Sequence, residues 1–470
     1  MGRRLLAFAT RPHAAAIGAA IALSAIGTVG RLPLRVLDAP GSQLGCSAKE
    51  AARSSQPDPV LVGVVMGTSG QLSSFSLPLK ETLLVAEGQI NGNGGVLGRS
   101  VRFTFFDDRS ESNDILVKGV RDLVQTQKVL ALIGPVGSGQ VKAVHEIARA
   151  GQAILLAPSA TSTELSTLEP LRDRWLFRTT PNDGLQAKAV VRFASGGAFT
   201  GGAGDAGTGV KCSKMAIVHI DNSYGVGMAE IVAKEWPPTG GSVVVKKQVT
   251  EAPVDKYTAE IDAIFAAKAE CLVLVAYDDV GSRLVFQLKT DPRYTAAPDP
   301  KLVIIGTDGI FTQGFIDGAL APDGTSLAEG VYGTNPDTNP QTPEFAQFKN
   351  VYNAYYPGRE PPSFGANTYD AAMLIALAIQ RAGSLTNRVA IRDALYDVSK
   401  DGQPFGPAQY GEAVQAMLAG NNINYAGASG NVDIDDSGDT EGGFIVWKIQ
   451  GKAVPKDGIG RYRAEDLARK

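Results

Sequence analysis

The chain has 470 residues, with 45 lysines and arginines against 48 aspartates and glutamates, and 44% of it is hydrophobic. That length exceeds what one core supports and predicts two large domains, or two with insertions. The net charge of -3 is near neutral and forms no basic stripe, which argues against a nucleic-acid partner. The three histidines, His13, His145 and His219, stand far apart, which argues against a His-based metal site or a Ser-His-Asp triad.

The N-terminus differs in composition from the rest. Arg3 and Arg4 precede an apolar run, AAAIGAAIALSAIGTV, from Ala14 to Val29. A basic start followed by such a run reads as an export signal, and an uncleaved membrane anchor is the alternative. Cys46 closes QLGC, with small Gly45 before it and Ala-Ser-rich sequence after it. This resembles the lipobox of bacterial lipoproteins, although Gln43 stands where that motif has leucine and Leu44 comes one place late. Lipidation of Cys46 is one expectation; a free or absent thiol after ordinary cleavage is the other. Residues 1–46 are therefore read as a signal peptide with a possible lipobox. The mature protein is expected to be exported, periplasmic or held at the membrane by an N-terminal lipid.

From Pro59 the pattern becomes regular. VLVGVVM (60–66) is an apolar run of the kind that forms a buried parallel strand. Helical spacing follows at 77–90, then a turn cluster at 91–98 and a strand at 101–108. A helix is predicted over 112–127, a strand over 129–135, a helix over 139–150 and a strand over 153–159. RTTPND (178–183) reads as a polar crossing point. After a helix at 184–195 comes GGAFTGGAGDAGTG (196–209), a low-complexity stretch read as a mobile surface insertion. The alternation then restarts, with strands at 214–222, 242–250, 271–277 and 301–309 separated by helices. VYGTNPDTNP (331–340) reads as another crossing. Helices at 343–356, 367–382 and 388–396 follow, then a Gly/Asn-rich stretch and a last strand at 443–449. Repeated βα units of this kind predict an α/β protein with two doubly wound parallel sheets in tandem.

Cys212 lies just before one strand of the second sheet and Cys271 opens another. If those strands are neighbours, both cysteines sit at one edge of the sheet and a disulfide is compatible with the spacing. Two buried free thiols are the alternative.

In open parallel sheets ligands bind beyond the carboxyl ends of the strands. GPVGSGQ (134–140) lies there, without the Lys-Ser/Thr of a P-loop and without G-x-G-x-x-G spacing. It offers Ser138 and free backbone N–H groups at a helix start, which suit a carboxylate as well as a phosphate. APSATSTEL (157–165) adds Ser159 and Thr161, for which plain N-capping is the competing reading.

GPVGSG, AILLAPSATSTEL, IDNSYGVGMAE (220–230) and VIIGTDGIF (303–311) occur in this order, together with VGVVMGTSGQL, GGVLGRSVRFTFFDD and a late NYAGASGNVDIDDSGDTEGGFIVWKI. The set resembles the Leu/Ile/Val-binding family, the type I periplasmic solute-binding proteins of ABC transporters, from about residue 60 to 450. The resemblance implies two lobes, 60–181 plus 335–437 and 182–334 plus 438–455, joined by a three-segment hinge near 178–183, 331–335 and 438–442. It also implies site roles. Ser138 would take a ligand carboxylate, Ser159 and Thr161 would flank it, and Tyr224 would close the site from the second lobe. Asp308 falls where many members carry glutamate against the ligand ammonium. Phe75 falls where some place an aromatic ring on the ligand side chain, and Tyr277 lies beside the cleft. The implied function is capture of an amino acid or amide-like molecule by hinge closure, without catalysis, cofactor or metal, for an ABC permease in the inner membrane. The protein would act as a monomer. A sensor for a membrane receptor is the alternative; an exported α/β enzyme is disfavoured by the lack of a G-x-S-x-G elbow, a metal-ligand cluster and a dinucleotide fingerprint.

Overall fold

The computed structural model describes residues 57–469, apart from 112, 201–206, 297–301 and 339–340. The export segment and Cys46 lie outside the described residues, as does the middle of the Gly-rich insertion. Five strands form the first sheet: β1 (Val60–Val65), β2 (Val101–Phe106), β3 (Ala131–Ile133), β4 (Ile154–Ala157) and β5 (Leu176–Arg178). Their order is β2-β1-β3-β4-β5 and every pairing is parallel. β1 is VLVGVV with all but Leu61 buried, an apolar run without alternation because helices cover both faces.

The second sheet has seven strands. β6 (Lys214–Ile220), β7 (Ser242–Val249), β8 (Cys271–Val275), β9 (Val303–Gly306) and β10 (Tyr332–Pro336) pair in parallel. Beyond the small pair β11 (Gln403–Phe405) and β12 (Ile423–Tyr425), the chain returns to add β13 (Phe444–Lys448) and β14 (Gly460–Tyr462), both antiparallel. The order is β14-β13-β10-β9-β8-β6-β7. Each sheet with its helices is a lobe.

The helices that position the site are α1 (Ser73–Gly92), α2 (Ser138–Ala150), α3 (Asp183–Ala194), α4 (Ser223–Glu235), α5 (Asp278–Thr290) and α6 (Gly365–Ala382). α6 comes late in the chain yet packs on α1 of the first lobe. The first lobe is thus discontinuous in sequence. Among the described residues, no helix is long and apolar enough to cross a membrane.

Two expectations change. VYGTNP is strand β10, so the second crossing follows Pro336 instead of spanning 331–335. Gly333 makes this possible: a Cβ there would lie 2.1 Å from the Trp447 ring of β13. The second lobe runs past 455 because β14 extends its sheet. The described ends of the Gly-rich insertion are tied down, with Ala198 bridging Thr208 and Phe199 packed on Phe193 and Tyr462.

Two crossing segments are locked together. Arg178, at the end of β5, meets Asp439 of the third crossing through Nε (2.8 Å) and Nη2 (2.6 Å), and Asn182 donates to the same carboxylate at 3.1 Å. This ion pair is buried. At the far end of the second sheet the structure joins Cys212 to Cys271, with Cα atoms 6.1 Å apart. β6 and β8 are adjacent there, Met215 lying opposite Cys271.

Candidate ligand-binding site

The loops beyond β3 and β4 form one wall of a cavity between the lobes. Gly134 turns the chain out of β3 with φ +91°, and a Cβ there would meet the Val65 carbonyl oxygen at 2.1 Å. Three residues on, Gly137 starts α2 and Ser138 occupies its first turn, buried. The Ser138 hydroxyl accepts from the Ser162 N–H at 3.1 Å, which leaves its own proton to donate. Ser159 donates its hydroxyl to the Val136 carbonyl at 3.0 Å and so ties the two loops together. What Ser159 retains for a ligand is its backbone N–H. Hydroxyls and helix-start N–H groups make this wall an anion end.

The second lobe supplies the opposite wall. Asn222 caps α4 by accepting from Gly225 N–H at 2.9 Å, and this places Tyr224 in the first turn. The Tyr224 hydroxyl donates to Asp308 Oδ1 at 3.0 Å, lies 2.5 Å from the Thr307 hydroxyl and accepts from Gly309 N–H at 3.2 Å. Gly309 permits this approach; a Cβ there would lie 2.5 Å from the Ala276 carbonyl oxygen and 3.0 Å from the Tyr224 hydroxyl. Tyr277 stacks on Tyr224, with ring centroids 5.6 Å apart and planes within 8°.

All seven residues singled out from sequence line this one cavity: Phe75, Ser138, Ser159, Thr161, Tyr224, Tyr277 and Asp308. Leu72, Val136 and Phe364 join Phe75 to make one end apolar. The walls approach closely and leave about 20 Å³ between them.

The electrostatics are dominated by a residue that sequence reading missed. Asp183, the first residue of α3, is fully buried behind this wall, and neither carboxylate oxygen meets a donor at full hydrogen-bond geometry. Burial raises its pKa well above the carboxylate range, and the nearby charge of Asp308 raises it further; the Thr161 hydroxyl opposes this weakly. Asp308 is likewise pushed up to about 6 by burial, against the hydrogen bond from Tyr224. Two buried acids beside each other disfavour their charged forms unless a cation joins them. Asp183 escaped notice because an aspartate after a capping asparagine is ordinary helix-start chemistry. Phe364 escaped because nothing local marks a phenylalanine after Pro361-Pro362-Ser363 as a wall.

Hydrogen bonds span the lobes on both sides of the cavity. Ser74 of α1 donates to Asp278 at the start of α5, and Thr312 donates to the other oxygen of that carboxylate. Burial pushes Asp278 up to about 6, and these two hydroxyls oppose the rise. On the other side, Ser223 donates to Glu164 Oε2 at 2.8 Å, and Ser162 donates to the Ser223 carbonyl at 3.1 Å. Among the described residues, no cluster of three or more His, Cys, Asp or Glu is arranged to hold a metal.

A family model for periplasmic binding proteins matches residues 59–423. The chain belongs to that family. It is 23% identical over 398 residues to the chemotactic signal transduction system substrate-binding protein BasB of Halobacterium salinarum, covering 83% of this chain and 87% of that one. It is 25% identical over 360 residues to the Leu/Ile/Val-binding protein BraC3 of Rhizobium johnstonii, covering 75% and 88%. In fold the binding protein is similar to a leucine-binding protein LivK of Thermotoga maritima, with TM-score 0.69 at 21% identity, covering 87% of this chain and 99% of that one. It is also similar to a solute-binding protein of an R. palustris ABC transporter solved with 4-hydroxybenzoate, with TM-score 0.67 at 17% identity, covering 87% and 98%. These likenesses establish a mixed α/β fold with two parallel-sheet lobes, in a family whose members bind small solutes.

Proposed function

We propose that this binding protein captures an α-amino acid between its lobes by hinge closure and delivers it to an ABC permease after export. One observation carries the reading: an anion end at Ser138, Ser159 and Thr161 shares the cavity with the buried acid Asp308, and the fully buried Asp183 lies close enough to Asp308 to feel its charge. A zwitterion satisfies both ends at once. A benzoate-like acid satisfies the first and brings no cation to the second, so Asp308 must then stay protonated or be charged without a partner. The apolar end formed by Leu72, Phe75, Val136 and Phe364 favours an apolar side chain. The basic start and apolar run of residues 1–46 support export.

The likeness to BasB supports a second role for the same capture, presenting ligand state to a membrane receptor. The two roles share the site and differ in the docking partner. Pull-down of either partner class by the ligand-loaded protein separates them.

Calorimetric and thermal-shift titration with L-alanine, L-valine, L-leucine, 4-methylpentanoate and 4-hydroxybenzoate tests the ligand class. A cognate ligand at 100 times its Kd adds about 2.7 kcal/mol of stability. Amino acids are expected to bind and the two acids without an ammonium are not. Binding of 4-hydroxybenzoate with no response to any amino acid would overturn the reading.

A further inference from the structure

Behind the ligand cleft lies a second, larger space of about 510 Å³. It runs between the lobes past Thr312, Asn335 and Ser363 toward the Lys349–Glu360–Lys456 charge cluster. Its lining shares just two residues with that of the cleft, Phe75 and Phe364. Their ring centroids lie 6.4 Å apart with planes inclined at 54°, and both are buried. These two rings are therefore the partition between a narrow cleft and a roomy groove.

The backbone at Phe364 shows that this placement is costly. Its φ is 57° and its ψ 6°, the left-handed region, which a bulky residue rarely adopts. Pro361 and Pro362 precede it, Gly365 N–H donates to the Pro362 carbonyl at 2.9 Å, and the Phe364 carbonyl accepts from Thr368 N–H at 2.9 Å to start α6. Strain of this kind persists where the surroundings over-determine it and clusters at ligand clamps. Glycine or asparagine would satisfy the turn; a phenylalanine there supplies the ring to the partition.

We propose that Phe75 and Phe364 form a two-ring wall that limits the length of the ligand's side chain, and that the groove behind it is a latent extension of the side-chain subsite. With the wall in place, aliphatic side chains end against the rings and aryl side chains are excluded. With either ring removed, cleft and groove join and an aryl side chain finds room. The inference rests on reading the cleft as an amino-acid site.

The test measures Kd for L-leucine, L-phenylalanine and L-tryptophan by calorimetry on the wild-type protein, Phe364→Gly, Phe75→Ala and the milder Phe75→Leu. The wild type is expected to favour L-leucine at least tenfold over both aromatic amino acids. Each ring-removing variant is expected to shift that ratio at least tenfold toward the aromatic ligands, with Phe75→Leu intermediate. Wild-type binding of L-tryptophan as tight as L-leucine overturns the wall without any variant. So does an unchanged ratio in a folded variant. If the wild type binds aromatic acids and no amino acid, the amino-acid reading fails by itself. The wall is then judged on benzoate against biphenyl-4-carboxylate in the same proteins, where the longer acid must gain at least tenfold from ring removal.

Discussion

If the ligand's ammonium meets Asp308 as proposed, binding is linked to proton release. Without a cation, burial pushes Asp308 up to about 6 and raises Asp183 well above the usual carboxylate range, so near pH 6 the pair holds protons that an exposed pair has lost. An ammonium needs these groups charged, and its arrival expels the protons. From pH 7 to pH 5, a group with a pKa near 6 that must ionise weakens affinity about tenfold. If Asp183, whose pKa is raised as well, must also ionise, the loss is larger. Stability of the ligand-free protein moves the opposite way. The folded pKa lies above the unfolded value, so between about pH 4 and 6 the folded state binds more protons, and stability rises as pH falls through that window. Asp278, also pushed up to about 6, adds to the stability trend with the same sign, and Asp278→Asn subtracts its share. Calorimetry of L-leucine at pH 5, 6 and 7 in two buffers of different ionisation enthalpy gives both Kd and the number of protons released. About half a proton from Asp308 is expected at pH 6, and more if Asp183 ionises as well. A Kd that stays flat from pH 7 to 5, with no proton release, refutes the carboxylate pair as the ammonium site.

Further outcomes follow from neighbouring contacts. Asp308→Asn removes the charge nearest the ammonium and should cost about 2–5 kcal/mol of ligand affinity; the ligand-free protein should melt higher because one of two adjacent buried acids is gone. Ser74→Ala cuts the bond from α1 to Asp278 across the lobes and should weaken affinity about two- to tenfold, read in stopped-flow as faster dissociation. Cys212→Ser with Cys271→Ser opens a loop of 59 residues and should cost about 4 kcal/mol in denaturant titration. Ligand affinity should not change, since the pair sits at the opposite strand ends from the cleft.

The fold was legible where the physics is local and periodic. Apolar runs such as VLVGVV and CLVLV announce strands buried on both faces, and the glycines and hydroxyls after β3 and β4 announce helix starts. Legibility failed where a residue's role is set from afar. β10 carries Gly, Asn and Pro that locally signal a turn, and becomes a strand because β9 and β13 pair with both its edges. β14 is three residues, GRY, with no pattern to find. Of the two buried acids, Asp308 follows a strand at a recognisable motif. Asp183 looks like an N-terminal helix acid until burial and the second carboxylate reveal it.

The Arg178–Asp439 pair also bears on how the molecule is assembled. Its partners are 261 residues apart, and Arg178 lies in the last strand of the first sheet. A chain emerging from its N-terminus can pair β1 to β5 early, yet it holds a guanidinium that must be buried without its carboxylate until residue 439 arrives. Forming this pair is thus a late step of folding. A chain cut short anywhere before residue 439 therefore leaves the Arg178 guanidinium without its carboxylate, however complete the first sheet.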